Sequence, residues 1–361
     1  MKKSLTVLFS LIIALTAGCP APDHRLINVS YDPTRELYRE FNQAFIEHYK
    51  NETGETIRIE VTHGGSSAQA RNVINGLDAD VVTLALAYDI DSIAQHTNLL
   101  PTNWQTRLPY NSTPYSSTVV FLVRDGNPKG IETWECLIRP DVEVVVADPT
   151  TSGVARWAYL AGWGYILKRE LAEHGDLYKR LHNPDAAAEL AAAQTDIDAA
   201  QEKAREYITA MYRNVRILPQ GARSASQAFV QQNTGDVLLD WENQAKLTIN
   251  EFGQGRIEIV VPPISILAEP PVAVLDGNVD KRRTRKVAEA YLEFLYTPIG
   301  QDIVARHYYR PRDSEILARY QDNFVDVEIF TIDDVFGGWH KAQREHFEAG
   351  GVFEQIYVPA R

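Results

Sequence analysis

Five short stretches pair small residues with groups that open helices: Asp32-Pro33, Gly64-Gly65-Ser66-Ser67, Thr151-Ser152-Gly153, Gly221-Ala222-Arg223-Ser224 and Asp240-Trp241-Glu242-Asn243. Asp32 before Pro33 reads as an N-cap with proline at the first helical position. The first turn of a helix leaves backbone N–H groups unpaired, and the aligned peptide dipoles place partial positive charge there. Small residues at that point let a ligand come close, so the chemistry on offer is capture of an anion by N–H and O–H groups. Taken singly, each stretch is better explained as an ordinary cap, because Ser and Gly cap helices everywhere. Five of them converging on one cleft would make a site.

Other chemistries lack their residues. No Gly/Ser turn has the spacing GxxxxGK[ST] of a nucleotide loop, and Ser152 lies outside a GxSxG setting with no His close in sequence. The nine His are scattered, and His340 and His346, six apart, do not share a helical face as zinc ligands would. Glu269, Asp333 and Asp334 have no neighbouring nucleophile and read as caps or hinge contacts. Only two Cys occur; Cys136 sits among Trp134, Leu137 and Ile138 as a core position. No catalytic residue, metal or cofactor is expected. With 36 Lys and Arg against 48 Asp and Glu, net charge −12, and no long basic run to lie along a phosphate backbone, nucleic acid is excluded as a partner.

The elements that must position the five stretches emerge from periodicity. At 361 residues, 45% hydrophobic and 23% charged, the chain suits two folded domains. Apolar runs at 80–86, 118–123, 142–147, 237–239 and 257–261 read as strands covered on both faces. They alternate with amphipathic helices, clearest at 33–50 and 284–296, which predicts an α/β fold with mainly parallel sheets. The Ala-rich segment 185–205 reads as an exposed helical excursion. Two proline-punctuated stretches, 108–118 and 262–272, predict two crossings between domains. The expected layout is a discontinuous first domain, 26–115 and 270–361, around a second, 116–269, which carries an inserted helical segment, 177–206. Such a layout suits closure on a small ligand.

Met1-Lys2-Lys3, an apolar core from Leu5 to Leu15 and the small residues Thr16, Ala17 and Gly18 have the form of an export signal over residues 1–18. Its removal would take two lysines and no acid, leaving net charge −14. Gly18-Cys19 is similar to the end of a lipoprotein signal, which makes Cys19 the expected lipid attachment and the periplasm or the outer face of the cytoplasmic membrane the expected location.

Taken in chain order, Asn28 to Tyr38, His63-Gly64-Gly65-Ser66, Ala79 to Asp89, Gly221-Ala222-Arg223, Trp241-Glu242-Asn243, Ser265 to Pro270, Tyr308 to Arg312 and Phe330 to Trp339 resemble the periplasmic sulfate-binding (sulfate/thiosulfate-binding) proteins of ABC importers. The resemblance implies a two-domain periplasmic binding protein fold of type II, each domain a mainly parallel sheet flanked by helices. It further implies a monomer that passes sulfate or thiosulfate to an ABC permease and its ATPase. It assigns the anion to the backbone N–H at Asp32, the hydroxyls of Ser66 and Ser152, the N–H groups of Gly153, Val154 and Ala222, and the indole N–H of Trp241. Arg156 and Arg223 are expected to brace the binding loops through carboxylates, Asp32 among them, without touching the anion. Two positions depart from the family pattern: Ser67 and Val154 stand where glycine is usual, and Val154 adds bulk and removes φ freedom. A pocket made only of donors satisfies a bare dianion, whereas the proton of hydrogen phosphate would meet no acceptor. Molybdate is the alternative ligand; a secreted sulfate or phosphate ester hydrolase, or a sensory module presenting a bound anion, are the alternative functions.

Overall fold

The computed structural model describes residues 24–357. Of the thirteen strands among the described residues, eleven build the two main sheets and the ribbon between them: β1 (His24–Tyr31), β2 (Ile57–Gly64), β3 (Val81–Thr83), β4 (Val119–Arg124), β5 (Val144–Val145), β6 (Val215–Ile217), β7 (Val237–Trp241), β8 (Ile257–Val260), β9 (Ile264–Ile266), β10 (Val272–Val274) and β11 (Glu328–Phe330). The first sheet has the order β10-β3-β1-β2, with β1 parallel to β2 and β3 and the edge strand β10 antiparallel. The second has the order β6-β5-β7-β4-β8, parallel among β5, β6 and β7 and antiparallel where β4 meets β7 and β8. In the second sheet β4 and β7 are the expected double-sided apolar runs: Val119 to Val123 and Val237 to Leu239 are fully or almost fully buried.

Six helices carry the small-residue stretches or pack behind them: α1 (Arg35–Thr53), α2 (Ser66–Ile74), α3 (Gly153–Glu170), α4 (Gln194–Arg213), α5 (Ala222–Val230) and α6 (Glu242–Thr248). In α1 the four-residue spacing of Leu37, Phe41, Phe45 and Tyr49 makes the buried stripe, and Gly54 closes the helix with φ of 77°. α3 buries nearly all its residues between β-sheet and C-terminal segment. The expected exposed excursion holds only for Ala187–Ala192, which buries nothing. Beyond it α4 buries Ile197, Ala200, Ala204, Tyr207, Ile208 and Met211 against α3. The two alanines sit on that apolar face, and Gly162 of α3 leaves so little room that a Cβ there would lie 3.3 Å from the Tyr207 ring.

The chain passes between the lobes three times. At the two expected crossings Ser117 and Ala268 exchange backbone hydrogen bonds of 2.9 Å in both directions. There Ser265 Oγ accepts from Val119 N–H at 3.0 Å and donates to Val119 O at 2.9 Å. The third pass is β11, parallel to β9, with Leu267 N–H donating to Phe330 O. From there the chain packs on the second lobe. Glu328 pairs with Lys168 and accepts from Tyr178, Tyr159 bonds His346, and Arg205 bonds Gln355. The end of the expected 270–361 segment therefore packs its aromatic residues on the second lobe, because Phe330, His346 and Phe353 find their partners on α3 and α4, while His340 keeps a contact with Asp91 and Tyr88 of the first.

The Phe330 ring lies over Gly164, where a Cβ would meet Cε1 at 2.7 Å. Gly164→Ala should lower stability by about 1–3 kcal/mol through overpacking. Adding Phe330→Leu should return part of that loss, read as a non-additive term in urea unfolding of the four proteins.

Candidate functional site

Each of the five small-residue stretches starts a helix, and the contacts between them bring the starts together. A Cβ on Gly65, the N-cap of α2, would sit 2.5 Å from Thr151 O and 3.0 Å from Gln220 O. One on Gly153, the first residue of α3, would sit 2.7 Å from Ala85 Cβ and 3.2 Å from Ser66 Cβ. One on Gly221, the N-cap of α5, would overlap the Asp32 carboxylate. Tyr31, which precedes Asp32, stacks edge-on to Trp241, the N-cap of α6, with ring centroids 5.6 Å apart. Glycine is required at 65, 153 and 221 for close approach rather than for φ, since none has a positive φ.

The groups at this junction are buried: Ser66 is 1% exposed, Ser152 2%, Ala222 2%, Val154 4% and Trp241 0%. The Trp241 indole Nε1 has no hydrogen-bond acceptor. A buried donor without a partner forfeits its hydration for nothing in return, so it marks a place where an acceptor belongs. Ser152 caps α3 by position, yet its hydroxyl makes no capping bond. Val154 lies within helical backbone, so the lost φ freedom costs nothing; its side chain joins the core.

Two expectations are corrected. Asp32 is not an N-cap: Tyr31 holds that position, Asp32–Thr34 form a 3-10 turn, and the Asp32 carboxylate is taken by Arg35 Nη2 at 3.3 Å. Nor does Asp32 bond either bracing arginine. Arg223 reaches across the lobes to Glu36 at 3.1 Å and binds Glu251 at 3.0 Å. Arg156, 6% exposed, donates to Pro149 O at 2.7 Å and to Gln343 Oε1 at 2.8 Å, which are a carbonyl and an amide rather than carboxylates.

Sequence reasoning missed Asp89. It is 3% exposed and accepts from Ser66 Oγ at 2.5 Å and Ser67 Oγ at 2.9 Å, while Ser66 Oγ accepts from Ala85 N–H at 2.9 Å. Ser67 thereby gives the same carboxylate a second anchor. The only signal was an acid ending the apolar run from Ala79 to Tyr88. Burial raises the Asp89 carboxyl above its ordinary range, and Arg156 and the two hydroxyls pull it back. Burial likewise raises Asp32 against Arg35 and Arg223. Burial and then Arg35 push His63 down to about 4, so the imidazole that faces Thr34 is neutral at pH 7. The positive character of the junction therefore comes from peptide dipoles rather than from an ionised His.

The sequence profile of bacterial extracellular solute-binding proteins matches residues 27–310. The chain belongs to that family. This solute-binding protein is 50% identical over 348 residues to the sulfate-binding protein of Salmonella typhimurium, a match spanning 96% of this chain and 97% of the relative. It is 45% identical over 334 residues to the thiosulfate-binding protein of Pseudomonas aeruginosa, 92% of each chain. Among solved structures it superposes on the sulfate-binding protein of Mycobacterium tuberculosis H37Rv with a TM-score of 0.73 at 26% identity, covering 90% of this chain and all of that one. The two-lobed α/β architecture is that of type II periplasmic binding proteins. Among the described residues, no group of three or more His, Cys, Asp or Glu could hold a metal ion, and no helix is long and apolar enough to cross a membrane.

The Glu36–Arg223 pair links the lobes with side chains 21% and 24% exposed. A double-mutant cycle of Glu36→Gln and Arg223→Gln should give a coupling of roughly 0.5–1 kcal/mol in urea unfolding, smaller at high salt.

Proposed function

We propose that this solute-binding protein holds sulfate between its lobes and delivers it to a membrane permease driven by an ATPase. Thiosulfate is a second ligand of the same site. The donors are the N–H at Asp32, the hydroxyls of Ser66 and Ser152, the N–H groups of Gly153, Val154 and Ala222, and the Trp241 indole. The protein acts outside the cytoplasm as a monomer without catalysis, and Cys19, which lies outside the described residues, anchors it through lipid.

The observation that carries this reading is the buried Trp241 Nε1 without an acceptor, set where the helix starts meet. Support comes also from relatives named for sulfate and thiosulfate that match over nearly the whole chain. Sulfate is fully ionised at neutral pH and only accepts hydrogen bonds, so donors alone satisfy it. Each charge-assisted bond is worth roughly 1.5–3 kcal/mol, so six or seven exceed the cost of ordering and closing two lobes. Ser66 must turn its hydrogen from Asp89 toward the anion, and Ala85 N–H keeps its oxygen in place meanwhile.

Calorimetric titration of sulfate, thiosulfate, molybdate and phosphate into the mature protein tests the reading. Sulfate and thiosulfate should bind and phosphate should give no heat. Trp241→Phe should weaken sulfate by roughly 10- to 100-fold, the loss of one charge-assisted bond. Phosphate binding as tightly as sulfate would sink the donor-only pocket.

A further inference from the structure

The hydrogens around Asp240 do not match its ionised form. Asp240 lies on β7, 1% exposed, immediately before Trp241. Its Oδ1 accepts from Trp241 N–H at 2.8 Å, and its Oδ2 lies 3.1 Å from Ser226 Oγ. Ser226 Oγ also lies 3.1 Å from Ala222 O. One hydroxyl hydrogen thus faces two acceptors. With a proton on Oδ2, the acid O–H donates to Ser226 Oγ, Ser226 donates to Ala222 O, and every contact is made.

Among the described residues no cation pairs with the carboxylate. Opposite it on β4 is Val120, and β5 offers Val144 and Val145. Charged groups on the elements packed around β7 are engaged elsewhere. Arg124 at the end of β4 binds the carbonyls of Phe229, Thr234 and Gly235. On α3, Arg156 binds Pro149 and Gln343, Lys168 pairs with Glu328, and Arg169 with Glu135 and Glu170. On α5, Arg223 pairs with Glu36 and Glu251; on α6, Glu242 pairs with Arg310 and Lys246 lies over the Tyr308 ring. Burial pushes the Asp240 carboxyl up to about 7, against the two donors. The hydrogen-bond chain through Asp240 ends at Trp241 and Ala222, two of the residues proposed to hold the anion. A dianion there disfavours a second buried negative charge.

We propose that capture of sulfate is coupled to proton uptake on Asp240, which makes Asp240 an affinity-determining residue behind the anion site. The coupling rests on sulfate being the ligand held between the lobes. Sulfate enters unprotonated, one proton leaves the buffer, and an O–H bond forms on Oδ2; no other bond is made or broken. The closed complex therefore gains one negative charge rather than two. Because the complex binds more protons than the free protein, affinity falls as pH rises through the range of the free carboxyl.

Sulfate titrations in two buffers of different ionisation enthalpy at about pH 7.5 read the proton count directly, and affinity is compared between about pH 6.5 and about pH 8.5. The wild type should show a heat that depends on buffer, with fractional to near-whole proton uptake, and affinity falling several-fold across that range. Asp240→Asn keeps an acceptor for Trp241 N–H and donates to Ser226 as the acid would. It should bind sulfate with buffer-independent heat and a flat pH profile. Sulfate binding in the wild type with buffer-independent heat overturns the coupling and leaves the site reading intact. No sulfate heat in either buffer overturns both.

Discussion

The structure depends on one constraint: polar hydrogens can be held in a dry interior only if something accepts them. At the junction of the lobes the fold gathers the starts of helices, whose N–H groups have no partner within their own helix, and adds an indole with no acceptor at all. Uncharged donors make this arrangement tolerable. A cluster of ionised cations in the same place would repel itself and carry a far larger desolvation penalty. The glycines at 65, 153 and 221 serve that end, since they let one helix start lie against the next element within ordinary contact distance.

Around this uncharged centre the ionised side chains form a second tier. Asp89 fastens Ser66 and Ser67, Arg223 joins Glu36 of one lobe to Glu251 of the other, and Arg156 ties the loop at Pro149 to the C-terminal segment at Gln343. Asp240 is the exception: like Asp89 it bonds neutral groups, but no arginine acts on it as Arg156 acts on Asp89. The separation explains how a protein of net charge −12 attracts an anion: the local field comes from oriented dipoles, and the net charge is distributed where water screens it.

The five helix starts were legible because cap chemistry is local: Ser and Gly before an apolar repeat announce a helix whatever surrounds it, although at Asp32 and Asp240 the cap position itself falls to the neighbouring Tyr31 and Trp241. Their convergence was not, since it depends on which faces of distant elements meet. The strands at 119–124 and 237–241 were readable as double-sided apolar runs, whereas their antiparallel pairing was not, because direction leaves no mark on composition. The segment around α4 was misread for an instructive reason. Alanine scores as neutral in a pattern of apolar residues, yet Ala200 and Ala204 are what allow α4 to lie against α3. The partners of Arg156 and Arg223 were equally hidden, since each is far away in sequence. The resemblance to a known family, rather than periodicity, supplied the roles of Ser152, Ala222 and Trp241.

The three passes between the lobes lie side by side, tied by Ser117 to Ala268 and by β9 to β11. A ribbon of strands joined edge to edge flexes readily about an axis lying in its own plane and strongly resists shear along its length, because shear would break every rung at once. Between the lobes of this protein the ties at Ser117–Ala268 and β9–β11 therefore favour a jaw-like swing over a corkscrew motion. A swing of that kind would bring the same helix starts back to the same register.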